Sequence, residues 1–202
     1  MKMKDYLKTW EGALSENRFH RLSVAGMLVI MVILLFMALG KSERIVMQPV
    51  TLKNEAWVEK STASREYKES WGLYLALLMG NVTPDKGGFI IERIKPLLST
   101  QIYNDTINAL KRQIEDIKEN RATFRFEASD VKYERATGKV FVVGMSFERG
   151  SAGDESRSKK TFEYKIEVEQ YTPKVTWVDT YKGRARTQEH LRRLKQSGNL
   201  EG

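Results

Sequence analysis

An uninterrupted apolar segment near the N-terminus constrains this chain more than any other feature of its sequence. Residues 22–39 include no charged side chain. A helix of about 18 residues rises about 27 Å, close to the thickness of the hydrocarbon core of a bilayer. The segment therefore predicts one transmembrane helix over residues 22–40. The side chains that we expect to anchor it in lipid are Leu22, Met27, Ile30, Leu34 and Leu39.

The same segment has a second interpretation, a signal peptide that is cleaved near the small residues of Ala38-Leu39-Gly40. Two features favour an uncleaved anchor: the apolar run is longer than an ordinary signal-peptide core, and a long polar leader precedes it. Positive charges flank both ends, Arg18 and Arg21 before it and Lys41 and Arg44 after it. The charge pattern thus leaves the orientation open and only slightly favours a short N-terminal tail on the inside.

The net charge of +8 is concentrated at the two ends of the chain. Residues 1–21 carry five Lys and Arg against three Asp and Glu, and residues 182–202 carry six against two. The rest of the chain is almost balanced. Because a DNA-binding domain needs a concentrated basic face, we expect no direct sequence-specific binding of nucleic acid. We interpret 1–21 as a tail before the membrane segment and 182–202 as a basic C-terminal tail.

The chain between these parts divides into a linker, 41–60, and a domain, 61–181, whose first half has helical periodicity. One helix is expected from about Ser61 to Met79, with an aromatic stripe that we interpret as core. The stripe consists of Tyr67, Trp71, Tyr74 and Leu78. Another helix, over 100–119, is apolar on one side only, which predicts that it lies on a sheet.

The motif Gly80-Asn-Val-Thr-Pro84 predicts a corner between two helices. Gly80 or Asn81 can end the first helix in the left-handed conformation. Thr83 can then cap a second helix, and Pro84 fits its first position.

The second half of the domain has the period of two that is typical of strands. Apolar and polar residues alternate over 124–128 and 162–169, and 140–147 is apolar on both faces, as in a central strand. Gly144 predicts a bend or bulge there, and the last strand is expected over 175–181. Helices followed by strands predict an α+β domain with helices packed on an antiparallel sheet of about four strands. Turns are expected at 135–138, 150–158 and 171–174.

No combination of residues predicts catalysis. Both histidines, His20 and His190, lie outside the predicted domain, and the chain has no cysteine. A histidine triad or a metal site of histidines and cysteines therefore cannot form inside the domain. Residues 40–42, Gly-Lys-Ser, resemble the end of a phosphate-binding loop, but Leu35 occupies the place of its first glycine. We expect no enzyme activity, no cofactor and no metal.

The order of these features resembles the TraE family of conjugative pilus assembly proteins. A short tail, one membrane span, helices that end in Leu77-Leu-Met-Gly-Asn-Val-Thr-Pro84, a long helix and an antiparallel sheet follow one another. The likeness covers roughly residues 20 to 186. Its most specific parts are the corner at 80–84 and the last strand, which contains Trp177.

The resemblance implies a non-enzymatic assembly role in an inner-membrane component of a conjugative type IV secretion system, in support of pilus biogenesis and DNA transfer. It implies an N-terminus in the cytoplasm and a periplasmic domain with the cone-shaped fold typified by nuclear transport factor two. It also implies self-association and contacts with other inner-membrane and periplasmic components of the system. An alternative is a membrane-anchored small-ligand-binding or transport-accessory protein, because the mouth of the same cone can hold a pocket.

Two segments are candidates for protein contacts. Wider relatives carry Asn-Pro-x-Gly before the last strand, in a segment tied to self-association, and the corresponding turn here reads Thr172-Pro-Lys-Val175. Pro173 is the one residue of that motif present here. In the C-terminal tail, residues 187–196 can form a short helix that either orders on a partner or is a frayed terminus. Its candidate contact residues are Leu191, Arg192 and Leu194.

Two expectations concern the extent of the core. Trp71 and Trp177 both fall on the apolar side of their predicted elements, so we expect both to be structural. The core is expected to end with Tyr181. Truncation after Arg186 should then leave the melting temperature nearly unchanged.

Overall fold

The structure, a computed structural model, describes residues 3–39, 45–47, 55–151 and 153–196. It consists of two compact units that divide between Glu43 and Arg44. The first unit is helix α1, Met3–Leu39. This helix continues from the predicted tail into the predicted membrane segment, and over Asn17–Met37 it is long and apolar enough to cross a membrane.

The second unit is a mixed domain in which three helices precede a meander of four long strands. The sheet is antiparallel with the order β3-β4-β5-β6, so the predicted segregated α+β architecture is confirmed. A 3-10 turn, Lys95–Leu97, follows the second of these helices. The elements in chain order are β1 Ile45–Met47, β2 Ala56–Val58, α2 Arg65–Gly80, α3 Gly87–Ile94, α4 Tyr103–Glu119, β3 Thr123–Glu134, β4 Lys139–Arg149, β5 Glu155–Glu169, β6 Thr172–Lys182 and α5 Gln188–Gln196.

The main core lies between the inner face of the sheet and helices α2, α3 and α4. The predicted stripe of α4 is confirmed, because Ile107, Leu110, Ile114 and Ile117 are all buried. The largest side chains on the inner face of the sheet pack edge-to-face or stacked, with 4.9 Å between the ring centroids of Phe126 and Phe162 and 6.3 Å between those of Phe162 and Tyr164. Aromatic and aliphatic side chains therefore fill the space under the helices.

Helix α2 buries a different side from the one predicted. Tyr67 is buried, but Trp71 is only half-buried and Tyr74 is 42% exposed. The helix instead packs through Gly72 and Gly80, where an added Cβ would lie 2.5 Å from side-chain atoms of Val140 and of Phe126. Because small residues let the helix backbone approach the sheet closely, the bulky aromatic side chains are displaced to its flank. The helical period was predicted correctly, but the side of the helix that faces the sheet was not.

The corner after α2 also differs from the prediction. Asn81 has φ −111°, outside the left-handed region, and α3 begins at Gly87 rather than at Pro84. The corner residues instead pair with the free edge of β3. The backbone of Val82 exchanges two hydrogen bonds with Phe124, of 2.8 and 3.0 Å. The Asn81 side chain accepts from the Phe126 N–H at 3.1 Å, so that an amide side chain continues the ladder of backbone hydrogen bonds.

Gly144 lies where two strands come unusually close. The register shift is in β3, between Ala128 and Asp130, directly opposite Gly144 rather than at it. A Cβ at residue 144 would lie 2.2 Å from the carbonyl oxygen of Glu127 and 2.6 Å from the ring of Phe126. Only glycine fits this position without moving the backbone of β3.

The predicted linker, 41–60, contains two paired strands. Strand β1 pairs antiparallel with β2. Ala56 and Val58 are buried with Tyr67 and Val168 in a second cluster. The buried part of the domain therefore begins before residue 61.

Candidate protein-interaction surfaces

The outer face of the sheet, on the side away from α2, α3 and α4, is partly buried. Phe141 is 1% exposed, and Thr161 and Glu163 are also buried, although all three alternate with the inner-face residues of their strands. A buried phenylalanine on this face requires a cover. The sequence pattern gave no indication of such a cover, because the alternation of apolar and polar residues in β5 is typical of a sheet with one solvent-exposed face.

The cover is the start of the C-terminal tail, residues 183–187, which we call the strap. At its start, the Thr161 hydroxyl donates to the carbonyl of Gly183 at 2.8 Å. At its end, the Gln188 N–H donates to a carboxylate oxygen of Glu134 at 2.9 Å. Since Thr161 is in β5 and Glu134 is in β3, the strap crosses β4, which carries Phe141. The expectation that the core ends with Tyr181 is therefore wrong.

A small polar network lies beneath the strap. The buried Glu163 carboxylate pairs with the Lys139 ammonium group and accepts from the Tyr181 hydroxyl at 3.1 Å. The same hydroxyl accepts from the Arg186 N–H at 2.9 Å. Burial, assisted by the neighbouring charge of Glu163, raises the pKa of Tyr181 to about 12. The phenol thus stays neutral at physiological pH, so it donates to Glu163 while it accepts from the strap.

Helix α5 follows the strap and carries the predicted contact residues of the tail. The Thr187 side chain caps it by accepting from the His190 N–H at 3.2 Å, and Thr187 itself is only 7% exposed. Leu191 is 40% exposed and Arg192 is exposed. Leu194 belongs to the same helix. The helix predicted over 187–196 is therefore present, and its first turn is attached to the domain.

The other predicted contact residue, Pro173, is buried in β6 opposite Val168. The turn before it is formed by Gln170 and Tyr171, with φ of 49° and 65°, instead of by residues 171–174. The Tyr171 N–H donates to the carbonyl of Lys60 at 3.3 Å, which fastens this turn to the start of the domain. Beside it is an open depression of about 850 Å³, lined by Lys60, Ser61, Val168, Glu169, Gln170, Thr172 and Lys174.

Trp177 is on the outer face of β6 and is 46% exposed, so its assignment to the core is wrong. The reason is a bulge in β6: Trp177 lies opposite Lys165 and Val175 opposite Ile166, so the extra residue Thr176 puts Val175 and Trp177 on opposite faces of the sheet. The Lys139 ammonium group lies 5.0 Å from the centroid of the Trp177 ring. A cleft of about 330 Å³ adjoins it, lined by Gln101, Lys139, Lys165, Glu167, Thr176 and Trp177.

We expect Trp177→Ala to lower the free energy of unfolding by less than about 1.5 kcal/mol, because the ring is already half in water, whereas truncation of a buried tryptophan costs about 3 to 5 kcal/mol. Trp71→Ala is the matched comparison and should be more destabilising than Trp177→Ala, since the half-buried Trp71 packs against both buried clusters. Thermal unfolding and cellular abundance of the two variants give the comparison. A Trp177 variant as unstable as the Trp71 variant would contradict the exposed position.

The predicted anchor residues are all in α1. Leu22, Met27, Ile30 and Leu34 are exposed, and Leu39 is the last residue of the helix. Exposed apolar side chains on all sides of a helix of this length are typical of a segment that lies in lipid.

Within the described part of the chain, no three His, Asp or Glu side chains are grouped so that they could hold a metal ion. The inner-face residue Lys160 has its pKa lowered by burial, with its ammonium group 5.1 Å from the centroid of the Phe162 ring.

Comparison with solved structures shows the fold. A TrwG component of a type IV secretion system protein from Bartonella birtlesii matches with a TM-score of 0.51 and 10% identity, over 63% of this chain and 99% of that one. Agrobacterium tumefaciens VirB8 matches with a TM-score of 0.49 and 11% identity, over 60% and 95%. A TraE protein in complex with 2-(2-furyl)isonicotinic acid matches with a TM-score of 0.49 and 8% identity, over 60% and 99%.

The predicted fold class, helices packed on a curved sheet of the nuclear transport factor two type, is confirmed. The comparison with curated proteins found no match. Comparison with protein-family models gave a match to the model described as TraE protein over residues 1–178, which includes both α1 and nearly the whole sheet. The chain therefore belongs to the TraE family.

Proposed function

We propose that this protein is a non-enzymatic, membrane-anchored component of a conjugative type IV secretion system, in support of pilus biogenesis and DNA transfer. The N-terminal tail lies in the cytoplasm, and the mixed domain lies in the periplasm. There the domain associates with itself and with other inner-membrane and periplasmic components. The observation that carries this proposal is the family match over residues 1–178, which spans the anchor and the domain together.

The surfaces of the domain support an assembly role. Large side chains are exposed at separate places, among them Tyr74 and Leu77 on α2, Phe89 on α3 and Trp177 on β6. Exposed aromatic side chains with polar surroundings are typical of protein contact sites. Each of these surfaces is available to a different neighbour in a multicomponent assembly.

The interior of the domain gives less support to the alternative, a small-ligand-binding or transport-accessory protein. In an enzyme or carrier of this fold, the ligand occupies the space between the helices and the sheet. Here Phe126, Phe162 and Tyr164 are buried in that space. The buried Tyr164 hydroxyl has the sulfur of Met79 as its acceptor at 3.6 Å, so it is not aimed at a polar cavity.

The function is tested by conjugation. Deleting the gene for this chain from its conjugative plasmid should abolish transfer, and supplying the intact chain in trans should restore it. A chain without residues 1–43, exported to the periplasm by a cleaved signal, should restore transfer poorly because it is not held at the membrane. Unchanged transfer by the deletion strain would contradict the proposal.

The topology has its own test. Ser156 is exposed in β5, and the chain has no native cysteine, so a cysteine there is a unique label site. After permeabilisation of the outer membrane, Ser156→Cys should react with a membrane-impermeant thiol reagent, whereas Thr9→Cys in the N-terminal tail should not. Labelling of Ser156→Cys only after lysis of the inner membrane would reverse the topology.

A further inference from the structure

The two edges of the four-stranded sheet differ in how their backbone groups are satisfied. The β3 edge is occupied by Val82, by the side chain of Asn81 and, further along, by Glu69, whose carboxylate accepts from the Tyr133 N–H at 2.8 Å. Among the described residues, the β6 edge has a backbone partner only near its start, where the Ser99 N–H donates to the carbonyl of Val175 at 2.9 Å. An open sheet edge is a template for another strand.

Hydrogen bonding to β5 shows which β6 residues are directed to the open edge. The Gly183 N–H donates to the carbonyl of Lys159, the residue opposite it, at 2.8 Å. In an antiparallel ladder, residues that exchange hydrogen bonds with one neighbour alternate with residues directed away from it. The backbone groups of Val178, Thr180 and Lys182 are therefore directed to the free edge.

No backbone partner is present for these three residues in the described part of the chain. The Thr180 N–H is instead capped by a carboxylate oxygen of Asp179 at 2.7 Å. This carboxylate oxygen takes the place of the backbone carbonyl oxygen that, in an added strand, would accept a hydrogen bond from the Thr180 N–H. The free edge is thus capped at Thr180 by one exposed side chain that can rotate away, whereas β3 is engaged at Phe124, Phe126 and Tyr133 by residues of α2 and of the corner after it.

We propose that β6 pairs antiparallel with β6 of a second copy of this chain, centred on Thr180. The pairing joins the two sheets into one. Thr180 then lies opposite Thr180 of the second copy, and Val178 lies opposite Lys182. Each of these pairs exchanges two backbone hydrogen bonds, so every backbone group directed to the edge from 178 to 182 finds a partner.

Charge and strand length fix this register. Centred on Thr180, the pairing places Asp179 opposite Tyr181 and Trp177 opposite Gly183, and no like charges face each other. Centring it on Asp179 would oppose two carboxylates, which is destabilising. Centring it on Val178 would oppose Lys174 and Lys182, and would extend the strand into the part of the edge that Ser99 occupies.

Moving the centre in the other direction, to Tyr181, loses hydrogen bonds. Val178 would then lie opposite Arg184, which is beyond the end of β6. The preceding residue, Gly183, has φ +104°, so the backbone has left the extended conformation there. The register centred on Thr180 is the one that uses all three residues of the edge.

The pairing is tested by disulfide formation in the full-length protein in native membranes. Hydrogen-bonded residues opposite each other in an antiparallel pair have Cα atoms about 5.5 Å apart, within the range that a disulfide spans. Thr180→Cys should therefore form a disulfide-linked dimer under mild oxidation, since the chain has no other cysteine. Ser156→Cys, exposed in β5 away from the edge, is the control and should remain monomeric.

Two further arms test the register and the mechanism. Val178→Cys and Lys182→Cys, co-expressed with different tags, should cross-link to each other, while either one alone should not. Adding Thr180→Pro to both chains should abolish that cross-link, because proline blocks the edge without removing a hydrogen bond to β5. Thermal unfolding of the Thr180→Pro variant, measured in parallel, shows whether this variant is still folded.

The proposal is overturned if Thr180→Cys cross-links no more than Ser156→Cys. It is also overturned if Thr180→Cys pairs with Lys182→Cys better than Val178→Cys does, which would indicate the register centred on Tyr181. The inference rests on the self-association in the proposed function and specifies the surface through which it occurs. The cross-link is read without conjugation, so a negative result leaves the secretion role standing, and a failure of transfer does not remove the cross-link.

Discussion

Replacing Gly144 by alanine is expected to lower the free energy of unfolding by about 3 kcal/mol or more, at the upper end of the cost of adding a methyl group to a packed interior. The added Cβ would lie 2.2 Å from the Glu127 carbonyl oxygen. That atom belongs to the backbone of β3 and cannot move without opening the sheet beside its bulge. The ring of Phe126 blocks a second direction. The melting temperature of the detergent-purified chain measures the loss.

The control for this change is Gly150→Ala, just after the end of β4. No atom lies within 4 Å of the Cβ that alanine would add there. The substitution should therefore change the melting temperature little. If Gly144→Ala were as stable as Gly150→Ala, the close approach of β3 and β4 would be wrong.

Deleting residues 183–202 should destabilise the domain by about 2 kcal/mol, the order expected when a buried phenylalanine becomes exposed to water. The deletion removes the strap and uncovers Phe141 on the outer face of the sheet. It also increases the exposure of the buried Glu163 carboxylate to solvent. A shift of several degrees in the melting temperature is the expected result for a domain of this size.

Truncation after Gln196, which keeps both the strap and α5, is the matched control and should leave the melting temperature unchanged. Phe141→Ala in the full-length chain provides an independent measure, because it removes the covered side chain and leaves the cover. The interpretation of the strap would fail if deletion of 183–202 had no effect while Phe141→Ala destabilised the domain strongly.

Sequence patterning identified the elements of the domain well and their packing less well. The change from a period of 3.6 to a period of two located α4 and the strands, because α4 is apolar on one side only and apolar and polar residues alternate along β3 and β5. In α2 the same reasoning gave the wrong face. Aromatic side chains dominate any hydrophobic stripe, yet Gly72 and Gly80 decide where the helix touches the sheet. A residue without a side chain contributes nothing to a hydrophobic pattern.

The outer face of the sheet was missed for a related reason. The burial of Phe141 depends on the strap, which is polar and basic in sequence and approaches the sheet through its backbone. Hydrogen bonds between a loop backbone and distant side chains leave no periodic signal. Trp177 shows the converse: a bulge at Thr176, in the same strand, changed the face of the sheet to which the Trp177 side chain is directed, and no alternation rule anticipates the position of a bulge.

The side chain of Asn81 has a consequence for how far such sheets could extend. A unit with two open edges can join neighbours on both sides, and its association then has no natural end, as in a fibre. Here Asn81 and Val82 occupy part of the β3 edge, so the edge of β6 is the one left for pairing in the described four-stranded sheet. Under the β6 pairing that we propose, this sheet is monofunctional in the sense of polymer chemistry: its growth by strand addition stops at a pair, and a larger assembly must be built through other surfaces.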